Sequence, residues 1–470
     1  MTTVATRLVC AGCGAELPAE TPIAWSCPAA VPGDDIDHLL TRVADAATFG
    51  PEPLAEENDT NPFLRYRRRF HSYAVARAAG WSDERYVELV RGLDAAVAEV
   101  DGRGFRLTPV TRCARLDREL GFGPDGGVWV KDETGNVSGS HKARHLMGVM
   151  LALRVVESMG QADAAAPLAI ASCGNAALAA AVVARAARRR LLVFVPPSAE
   201  PAVVERLRAL DAQIEVCERE PGQSGDPTVL RLEAAIADGA VPFTVQGNLN
   251  GLAIEGGETL AWELVDQLPD HASGLDRLVI HVGGGAFASA ASQALEEAVL
   301  AGRLARMPII DTVQTRGGYP LRRAHERALD HLEATEGTPV AADMVAGAIS
   351  QAVHHRSDYM WAWETEPVSV AHGILDDETY DWAAVVRAML LTGGRSVVVD
   401  EATLEAANAL ARPVLGIDAD HTGTAGLAGL IQLTRDGVVG PDETVAVIFS
   451  GARRDANAAE NQLQEEGHPR

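Results

Sequence analysis

Short apolar runs alternate with longer amphipathic stretches along the chain from about residue 126 onward. The runs are rich in valine, isoleucine and leucine, like strands that are buried on both faces of a parallel sheet. The stretches between them, such as NAALAAAVVARAARR, have the apolar spacing of helices that pack on such a sheet. This alternation predicts an α/β fold built from parallel βαβ units. The predicted strands are GVWVKDE, PLAIAS, LLVFVPP, QIEVCE, VPFTVQ, RLVIHVGGG, PIIDTVQT, SVVVDE and TVAVIFSG.

The length of 470 residues exceeds the size at which single hydrophobic cores stop growing, so more than one domain is expected. We predict a zinc-ribbon-like segment, a helical extension that leads into a large domain, a smaller α/β domain, and the rest of the large α/β domain. Their predicted bounds are residues 1–38, 39–139, 140–255 and 256–460, in that order.

The chain is strongly acidic, with a formal net charge of −24. Such a chain repels phosphate backbones and anionic lipid, so neither nucleic acid nor a membrane surface is an expected partner. One basic aromatic stretch, NPFLRYRRRF, is interpreted as a salt-bridged helix or a subunit face. No apolar stretch reaches the ~20 residues that cross a bilayer, and the N-terminus lacks the pattern of a secretory signal. A cytoplasmic location is therefore expected.

Three of the six cysteines lie near the N-terminus. Cys10 and Cys13 have the C-x2-C spacing of a zinc knuckle, and Cys27 follows. Structural zinc takes four ligands, and Ala30 stands where a further cysteine would complete a second pair. His38 is the candidate fourth ligand. The segment either binds zinc through these four residues or keeps the shape of a ribbon without metal.

Only two of the 41 positively charged side chains are lysines, Lys131 and Lys142, and both lie in the stretch VWVKDETGNVSGSHKARH. Arginine stays protonated at any workable pH, whereas a lysine amine can lose its proton and attack a carbonyl to form a Schiff base. A chain that otherwise uses arginine is expected to keep lysine where an amine is required. Covalent catalysis is one hypothesis, and chance within a biased composition is the other.

Three loops follow predicted strands, at the edge where α/β folds bind their ligands. In ASCGNAALAA, Ser172, Gly174 and Asn175 precede a helix whose N-terminal amides can hold a carboxylate or a phosphate. In VIHVGGGAFASA, residues 283–285 are glycines, which let backbone N–H groups surround a phosphate. In VIFSGARRD, Ser450 ends the last strand, with its hydroxyl free to meet a ring nitrogen.

The glycine loop also permits an alternative from another class of enzyme. Gly283, Gly285 and Ala288 match G-x-G-x-x-A, the fingerprint of dinucleotide-binding proteins, which would indicate an NAD-dependent oxidoreductase. That fingerprint needs an acidic residue about 20 positions further on, and the next acid at a strand end, Asp311, is somewhat too far. This alternative also leaves Lys142 unexplained.

Taken together, these motifs resemble the pyridoxal-phosphate enzymes of the tryptophan synthase β-subunit family (fold type II), and most closely its threonine synthase-like members. The resemblance extends from about Thr108 to Asp455. It implies an enzyme with two parallel-sheet domains, a small-molecule amino acid as substrate, and a homodimer. The motifs that carry it are TPVTR, KDETGNVSGSHKAR, SCGNAAL, GNLNGLAIEGGETLAWEL, VGGGAFAS, HTGTAGLAGL and FSGARRD.

The resemblance also implies roles for individual residues. Lys142 would hold the pyridoxal phosphate covalently and then shuttle protons, with His141 packed against the cofactor ring. Asn175 would face the phenolic oxygen, Ser450 would lie opposite the pyridine nitrogen, and the glycine loop would bind the phosphate. The residues expected at the cofactor are Lys142, His141, Asn175, Gly283, Gly284, Gly285, Ala286, Phe287 and Ser450, and those expected at the substrate are Ser140, Ser172, Gly174 and Ala176.

The substrate stays open, because the motif around the lysine departs from that of threonine synthase. That enzyme's motif reads S-F-K-D-R, whereas residues 140–144 read S-H-K-A-R. The histidine and the SGARRD ending resemble the tryptophan synthase β-subunit, and the GGGA loop resembles dehydratases. The implied activity is elimination or replacement at Cβ or Cγ of an amino acid, as in threonine synthase. The alternatives are a serine or threonine ammonia-lyase and a β-replacement synthase.

Residues 354–382 form a segment rich in aromatic, histidine and acidic residues that belongs to none of these motifs. Such a segment either lines a pocket for an unusual substrate or forms a subunit contact or a lid. A non-enzyme hypothesis, a zinc-ribbon interaction protein built on a decayed enzyme, conflicts with the retention of Lys142.

Overall fold

The computed structural model of the protein describes most of the chain. Asp455, where the family resemblance ends, and the predicted domain end at residue 460 lie outside the described residues. Among the described residues, no helix is long and apolar enough to cross a membrane. The described ranges are residues 6–18, 24–31, 33–45, 59–220, 225–268 and 274–454.

Strands and helices alternate through most of the described chain, and the predicted strands correspond to β5 through β13. The strands are β1 (Thr6–Cys10), β2 (Glu16–Pro18), β3 (Leu40–Ala44), β4 (Val110–Arg112), β5 (Gly127–Asp132), β6 (Leu168–Ala171), β7 (Leu191–Val195), β8 (Gln213–Val216), β9 (Val241–Pro242), β10 (Arg277–His281), β11 (Ile309–Thr315), β12 (Ser396–Val399) and β13 (Thr444–Phe449). The helices are α1 (Pro62–Arg65), α2 (His71–Ala78), α3 (Asp83–Asp101), α4 (Ala114–Leu120), α5 (Lys142–Ser158), α6 (Asn175–Ala186), α7 (Pro201–Ala209), α8 (Pro227–Ala237), α9 (Ala253–Gln267), α10 (Ala286–Leu300), α11 (Pro320–Leu332), α12 (Ala342–His354), α13 (Arg356–Tyr359), α14 (Trp382–Thr392), α15 (Glu401–Leu415) and α16 (Ala425–Arg435).

The strands form two sheets that contain parallel pairs and one small antiparallel sheet. The largest has six strands in the order β12-β11-β10-β13-β5-β4, and every pair is parallel except β4 with β5. A four-stranded parallel sheet has the order β8-β7-β6-β9. The predicted α/β fold is confirmed. The domain bounds stay predictions, although all four strands of the smaller sheet lie within residues 140–255.

Helix α9 packs closely against both α5 and α10 in the core. Glycines make the contact of α5 with α9 possible, because a Cβ on Gly148 would lie 2.9 Å from the Gly256 Cα. A Cβ on Gly256 would in turn overlap the carbonyl oxygen of Arg144. Because the backbones of α5 and α9 are in direct contact, the position of α5 is fixed. Lys142 is the first residue of this helix.

A buried ionic cluster lies beside this helix contact and explains the position of Lys131, the lysine that does not begin α5. The Lys131 Nζ donates to Glu263 at 2.6 Å and to the Thr108 carbonyl oxygen at 2.8 Å. The Arg144 guanidinium binds Glu263 at 2.6 Å and Glu133 at 2.8 Å. All four charged side chains are fully buried. Since the Lys131 amine is held inside this cluster, it has a structural position, and Lys142 is the lysine left for chemistry.

The N-terminal sheet, β2-β1-β3, is antiparallel and is attached to the body of the protein by charge. Arg42 of β3 is buried and donates to Glu258 of α9 at 2.6 Å and to Glu297 of α10. The basic aromatic stretch that follows packs inside the protein, with the ring centroid of Tyr66 5.3 Å from that of Trp262. Its arginine Arg67 pairs with Asp83 at 2.8 Å, as expected for a salt-bridged segment.

Candidate active site

Three of the predicted site elements meet at one edge of the six-stranded sheet. Strands β5, β13 and β10 are parallel neighbours, so their carboxyl ends lie side by side. The loop to Lys142 follows β5, the glycines at 283–285 follow β10, and Ser450 follows β13. The order of strands in the sheet therefore brings together residues that are far apart in the sequence, as expected for an α/β fold.

Lys142 is enclosed at the start of α5. Burial lowers the pKa of its amine below the ordinary value, although the carboxylates of Asp376 and Asp381 oppose the shift. A lowered pKa increases the neutral fraction of the amine, which is the nucleophilic form. The turn before the helix holds Ser138 at a φ of 54°, in the left-handed region. Strained backbone of this kind is typical of functional sites.

His141 links the lysine loop to two other predicted site residues. Its ring stacks on Phe287, with 4.0 Å between the ring centroids and 17° between the planes. Its Nδ1 lies 2.5 Å from the Ser450 Oγ, and its backbone N–H donates to the same oxygen at 3.0 Å. Ser450 is thus held beside Lys142 by a neutral partner. The position of Ser450 opposite a pyridine nitrogen stays a prediction.

Two further histidines, which the sequence reasoning missed, lie close to His141. The ring centroids of His145 and His281 are 5.7 and 6.3 Å from that of His141. Burial lowers the pKa of His145 and of His281 to about 3, and lowers that of His141 well below its usual value. All three imidazoles are therefore neutral near pH 7 and add no positive charge beside the lysine.

The glycine loop forms a hollow at the N-terminus of the 15-residue helix α10. Gly285 has a φ of 92°, a backbone conformation that residues with a side chain rarely adopt. A Cβ on Gly283 would overlap the Asp376 carboxylate, and one on Gly284 would lie 2.9 Å from the ring of Tyr380. Burial raises the pKa of the same carboxyl group, and the Gly284 N–H, which faces it, opposes that rise. The Asp376 side chain thus lies against the glycine loop at the N-terminus of α10.

The segment 354–382, unexplained by the sequence motifs, contributes this carboxylate. Thr379 Oγ1 donates to the Gly283 carbonyl oxygen at 3.0 Å, and the Asp381 N–H donates to the Gly284 carbonyl oxygen at 3.0 Å. The acids of LDDETYD are the sequence signal that could have pointed to this position. The earlier part of the segment packs on α11, where Arg323 stacks on the rings of Trp361 and Trp363.

The loop Ser172–Ala176 reaches the same region from the smaller sheet. The Gly174 N–H donates to the Ser172 Oγ at 3.4 Å, at the start of α6. Asn175 accepts a hydrogen bond from Arg454 at 2.5 Å, and Arg454 also donates to the Ser138 carbonyl oxygen at 2.8 Å. Ala176 is buried. Arg454 therefore ties this loop to the lysine loop. Sequence reasoning quoted the arginine within FSGARRD without giving it a role.

These residues fit pyridoxal phosphate. Lys142 offers an amine of lowered pKa, and residues 283–285 precede the 15-residue helix α10, whose N-terminal N–H groups are suited to a phosphate. Within the described chain, the Ser140 Oγ and the His141 Nε2 are buried without hydrogen-bond partners and remain available to a ligand. Lys142 would hold the aldehyde, residues 283–287 the phosphate, and His141 and Ser450 the ring.

The alternative of a dinucleotide fingerprint lacks its acidic residue. Asp311 lies in β11 with its carboxylate bound to Arg277 at 2.5 Å and to the Arg395 N–H at 2.7 Å. An acid that is paired inside the sheet cannot accept hydrogen bonds from a ribose. The lysine beside the glycine hollow also has no role in hydride transfer.

The four residues predicted to bind zinc come together at the N-terminal sheet. The Cys10 Sγ lies 3.6 Å from the His38 Nδ1, and the Cys13 Sγ lies 3.6 Å from the Cys27 Sγ. All four ligand atoms are within 4.8 Å of one another. Sulfurs bound to one zinc at about 2.3 Å are separated by similar distances. The donor set therefore fits a tetrahedral structural zinc.

Asp34 completes this arrangement, and the sequence reasoning missed it. The His38 Nε2 lies 3.1 Å from the Asp34 carboxylate, which leaves Nδ1 to face the sulfurs. A histidine that binds a metal usually donates its other N–H to a carboxylate or carbonyl in this way. The Cys13 N–H also points at the Cys10 Sγ, at 3.5 Å.

We expect the purified protein to contain about one zinc per chain, and the Cys27→Ala variant to contain almost none. Removal of one ligand leaves three donors, which is too few for a closed structural site. Metal content measured by mass spectrometry after dialysis is the test. Cys113→Ala, outside the cluster, should keep its zinc. Wild-type protein that neither carries zinc nor takes it up after reduction would contradict the site.

Comparison with known proteins agrees with the geometry. The family model described as pyridoxal-phosphate dependent enzyme matches residues 103–451. The threonine synthase of Methanocaldococcus jannaschii is 25% identical over 356 residues, which are 75% of this chain and 76% of that protein. The cysteate synthase of Methanosphaerula palustris is 26% identical, over 66% of this chain and 68% of that protein.

Among solved structures, maize serine racemase has a similar fold. Its TM-score is 0.57 with 16% sequence identity, over 80% of this chain and 96% of that one. The family model spans most of the chain, and it includes Lys142, the glycine loop and Ser450. The chain therefore belongs to the family of pyridoxal-phosphate dependent enzymes.

Proposed function

We propose that the protein eliminates or replaces a leaving group at Cβ or Cγ of an amino acid. The observation that carries the proposal is the Lys142 amine of lowered pKa at the same sheet edge as the glycine loop that begins α10. The bound cofactor would supply an electron sink for the charge that develops at the substrate Cα. The Lys142 amine would take the proton from that carbon and return it.

The remaining site residues would orient the substrate. The amides at the start of α6, with the Ser172 hydroxyl, are suited to hold the substrate carboxylate. Fixing the carboxylate determines which bond at Cα is aligned for cleavage. Ser450 is bound to His141 and carries no charge, so it would leave a ring nitrogen largely unprotonated. Such a weak electron sink favours elimination and replacement over transamination.

The relatives support a choice among the alternatives. The two relatives described above are named synthases, which favours replacement over simple deamination. A threonine synthase-like reaction is the first candidate, and a β-replacement synthase or a serine or threonine ammonia-lyase follows. Residues 140–144 read S-H-K-A-R and differ from the S-F-K-D-R motif of threonine synthase, so these alternatives stay open.

The visible absorption spectrum tests this proposal. We expect the purified or reconstituted protein to show a cofactor band that shifts when at least one amino acid of a panel is added. The panel contains O-phosphohomoserine, O-phosphoserine, serine and threonine. A protein that stays colourless after incubation with pyridoxal phosphate would contradict the proposal, and so would a cofactor band that no amino acid perturbs.

The expected homodimer and cytoplasmic location remain predictions. They rest on the family resemblance and on the composition of the chain, respectively. Light scattering of the purified protein would measure the mass in solution, to be compared with twice the 49.6 kDa of one chain.

A further inference from the structure

Two acids, Asp376 and Asp381, act on the Lys142 amine, and burial raises their pKa to about 6 and about 8. A cation beside them would favour their ionised form. Among the described residues, these two acids are the titratable groups whose charge acts on this amine. The histidines on its other side are neutral, because burial lowers the pKa of each. In the described part of the chain, no arginine faces the amine as a phosphate-binding group would require.

Asp381 has an oxygen that is free to bind a ligand. The residue is 1% exposed, and its Oδ2 accepts a hydrogen bond from the Gly247 N–H at 3.3 Å. Its Oδ1 is buried and has no hydrogen-bond partner among the described residues. A buried acceptor without a donor is unfavourable, so a donor supplied by a ligand would be bound with a gain in free energy.

Asp376 has two partners in this structure, and cofactor binding would remove both. Burial raises the pKa of its carboxyl group, and the charge of Lys142 and the Gly284 N–H both oppose that rise. The phosphate of the cofactor would take the Gly284 N–H, and the covalent bond to the cofactor would engage the Lys142 amine. The Asp376 carboxylate would then need a new positive partner.

The approach to the site carries the same sign of charge. Asp226 and Asp377 lie close enough to Asp376 to raise its pKa, and Asp226 also acts on Tyr380. The nearby arginine Arg454 is held by Asn175 and Ser138, at the loop suited to the substrate carboxylate. Such a field attracts a cationic side chain and repels a phosphate ester.

We propose that the side chain of the substrate carries an ammonium group on Cβ or Cγ, which the carboxylates of Asp376 and Asp381 bind. This inference rests on the proposed function. It names a diamino acid as the class of substrate and disfavours a phosphorylated amino acid.

The test compares amino acids of equal length that differ only in the charge of the side chain. L-2,3-diaminopropionate, L-serine and O-phospho-L-serine form one set, and L-2,4-diaminobutyrate, L-homoserine and O-phospho-L-homoserine form the other. Each is titrated into the cofactor-loaded protein, and the shift of the visible band gives the concentration of half-saturation. In at least one set we expect the diamino acid to bind about 10- to 100-fold more tightly than the hydroxy amino acid, as for a hydrogen bond between charged groups.

Amide variants assign that preference to the two carboxylates. In Asp376→Asn and Asp381→Asn, the ratio of the two half-saturation concentrations, diamino acid against hydroxy amino acid, should fall to within a few-fold of one. Asp377→Asn is the comparison variant, because it removes one charge of the surrounding field and none that acts on Lys142, so most of the preference should remain. Asp376→Asn should also bind pyridoxal phosphate more tightly than the wild type, since the amide does not compete as an anion for the glycine hollow.

The possible outcomes separate the two proposals. Tighter binding of a phosphorylated amino acid, or equal binding of diamino and hydroxy amino acids by the wild type, would overturn the inference and leave the proposed function intact. This comparison needs only the wild type, so it stands even where a variant does not fold. A cofactor band that no amino acid perturbs would instead mean that the proposed function has failed.

Discussion

Replacement of Lys142 by alanine is expected to abolish the covalent cofactor and to lower turnover by at least about 10²- to 10⁴-fold, the usual contribution of a positioned base. The amine of Lys142 has a lowered pKa and lies beside the glycine hollow, so no other described amine can take its place. Reduction with borohydride followed by mass spectrometry of the peptides measures the adduct directly.

The other lysine of the chain provides the control. Lys131→Arg keeps a positive charge opposite Glu263 and is expected to keep the adduct on Lys142. An adduct that persists in Lys142→Ala, or that maps to Lys131 in the wild type, would show that the catalytic lysine is assigned wrongly. Cofactor that binds to Lys142→Ala without a covalent bond is compatible with the assignment, because the glycine hollow remains.

Replacement of Arg144 by alanine is expected to lower the free energy of unfolding by about 3–5 kcal/mol, the usual cost when one member of a buried ionic cluster is removed. Arg144 binds Glu133 at 2.8 Å and Glu263 at 2.6 Å, and all three side chains are fully buried. Lys131 alone cannot balance both carboxylates. Equilibrium unfolding in urea measures the change.

The exposed Arg306 provides the control, because its loss removes an ordinary ion pair at the surface. Arg306 is 62% exposed at its pair with Asp276, and Arg306→Ala is expected to change the free energy of unfolding by less than about 0.5 kcal/mol. Arg144→Lys offers a milder test if the alanine variant does not fold, since an ammonium keeps the charge but cannot form the bidentate pairs of a guanidinium. A loss below about 1 kcal/mol in both Arg144 variants would contradict this role of the cluster.

Much of the site could be predicted because its residues follow strands. The strands β5, β6, β10 and β13 each contain a run of apolar residues, so they were recognisable from the sequence pattern. Parallel strands place their carboxyl ends at one edge of a sheet, and this rule brought Lys142, the glycine loop and Ser450 together before the structure did.

Part of the zinc site could be predicted from local sequence spacing, and part depends on tertiary contacts. The C-x2-C spacing of Cys10 and Cys13 is local and can be read from the sequence. The approach of His38 depends on the pairing of β3 with β1, which places Leu40 opposite Cys10. The support of His38 by Asp34 is a contact of side chains, and no spacing rule singled out that carboxylate.

The sequence by itself determined the class of fold, the reactive lysine as one of two, and the loops that surround it, because these follow from hydrophobic period and from the chemistry of single residue types. Only the tertiary structure decided that Lys131 is bound inside an ionic cluster while Lys142 is not. It also brought Asp376 and Asp381 to a glycine loop about 90 residues earlier in the chain. Contacts of this kind depend on how separate segments pack, and a hydrophobic pattern specifies which face of a segment is buried without specifying its partner.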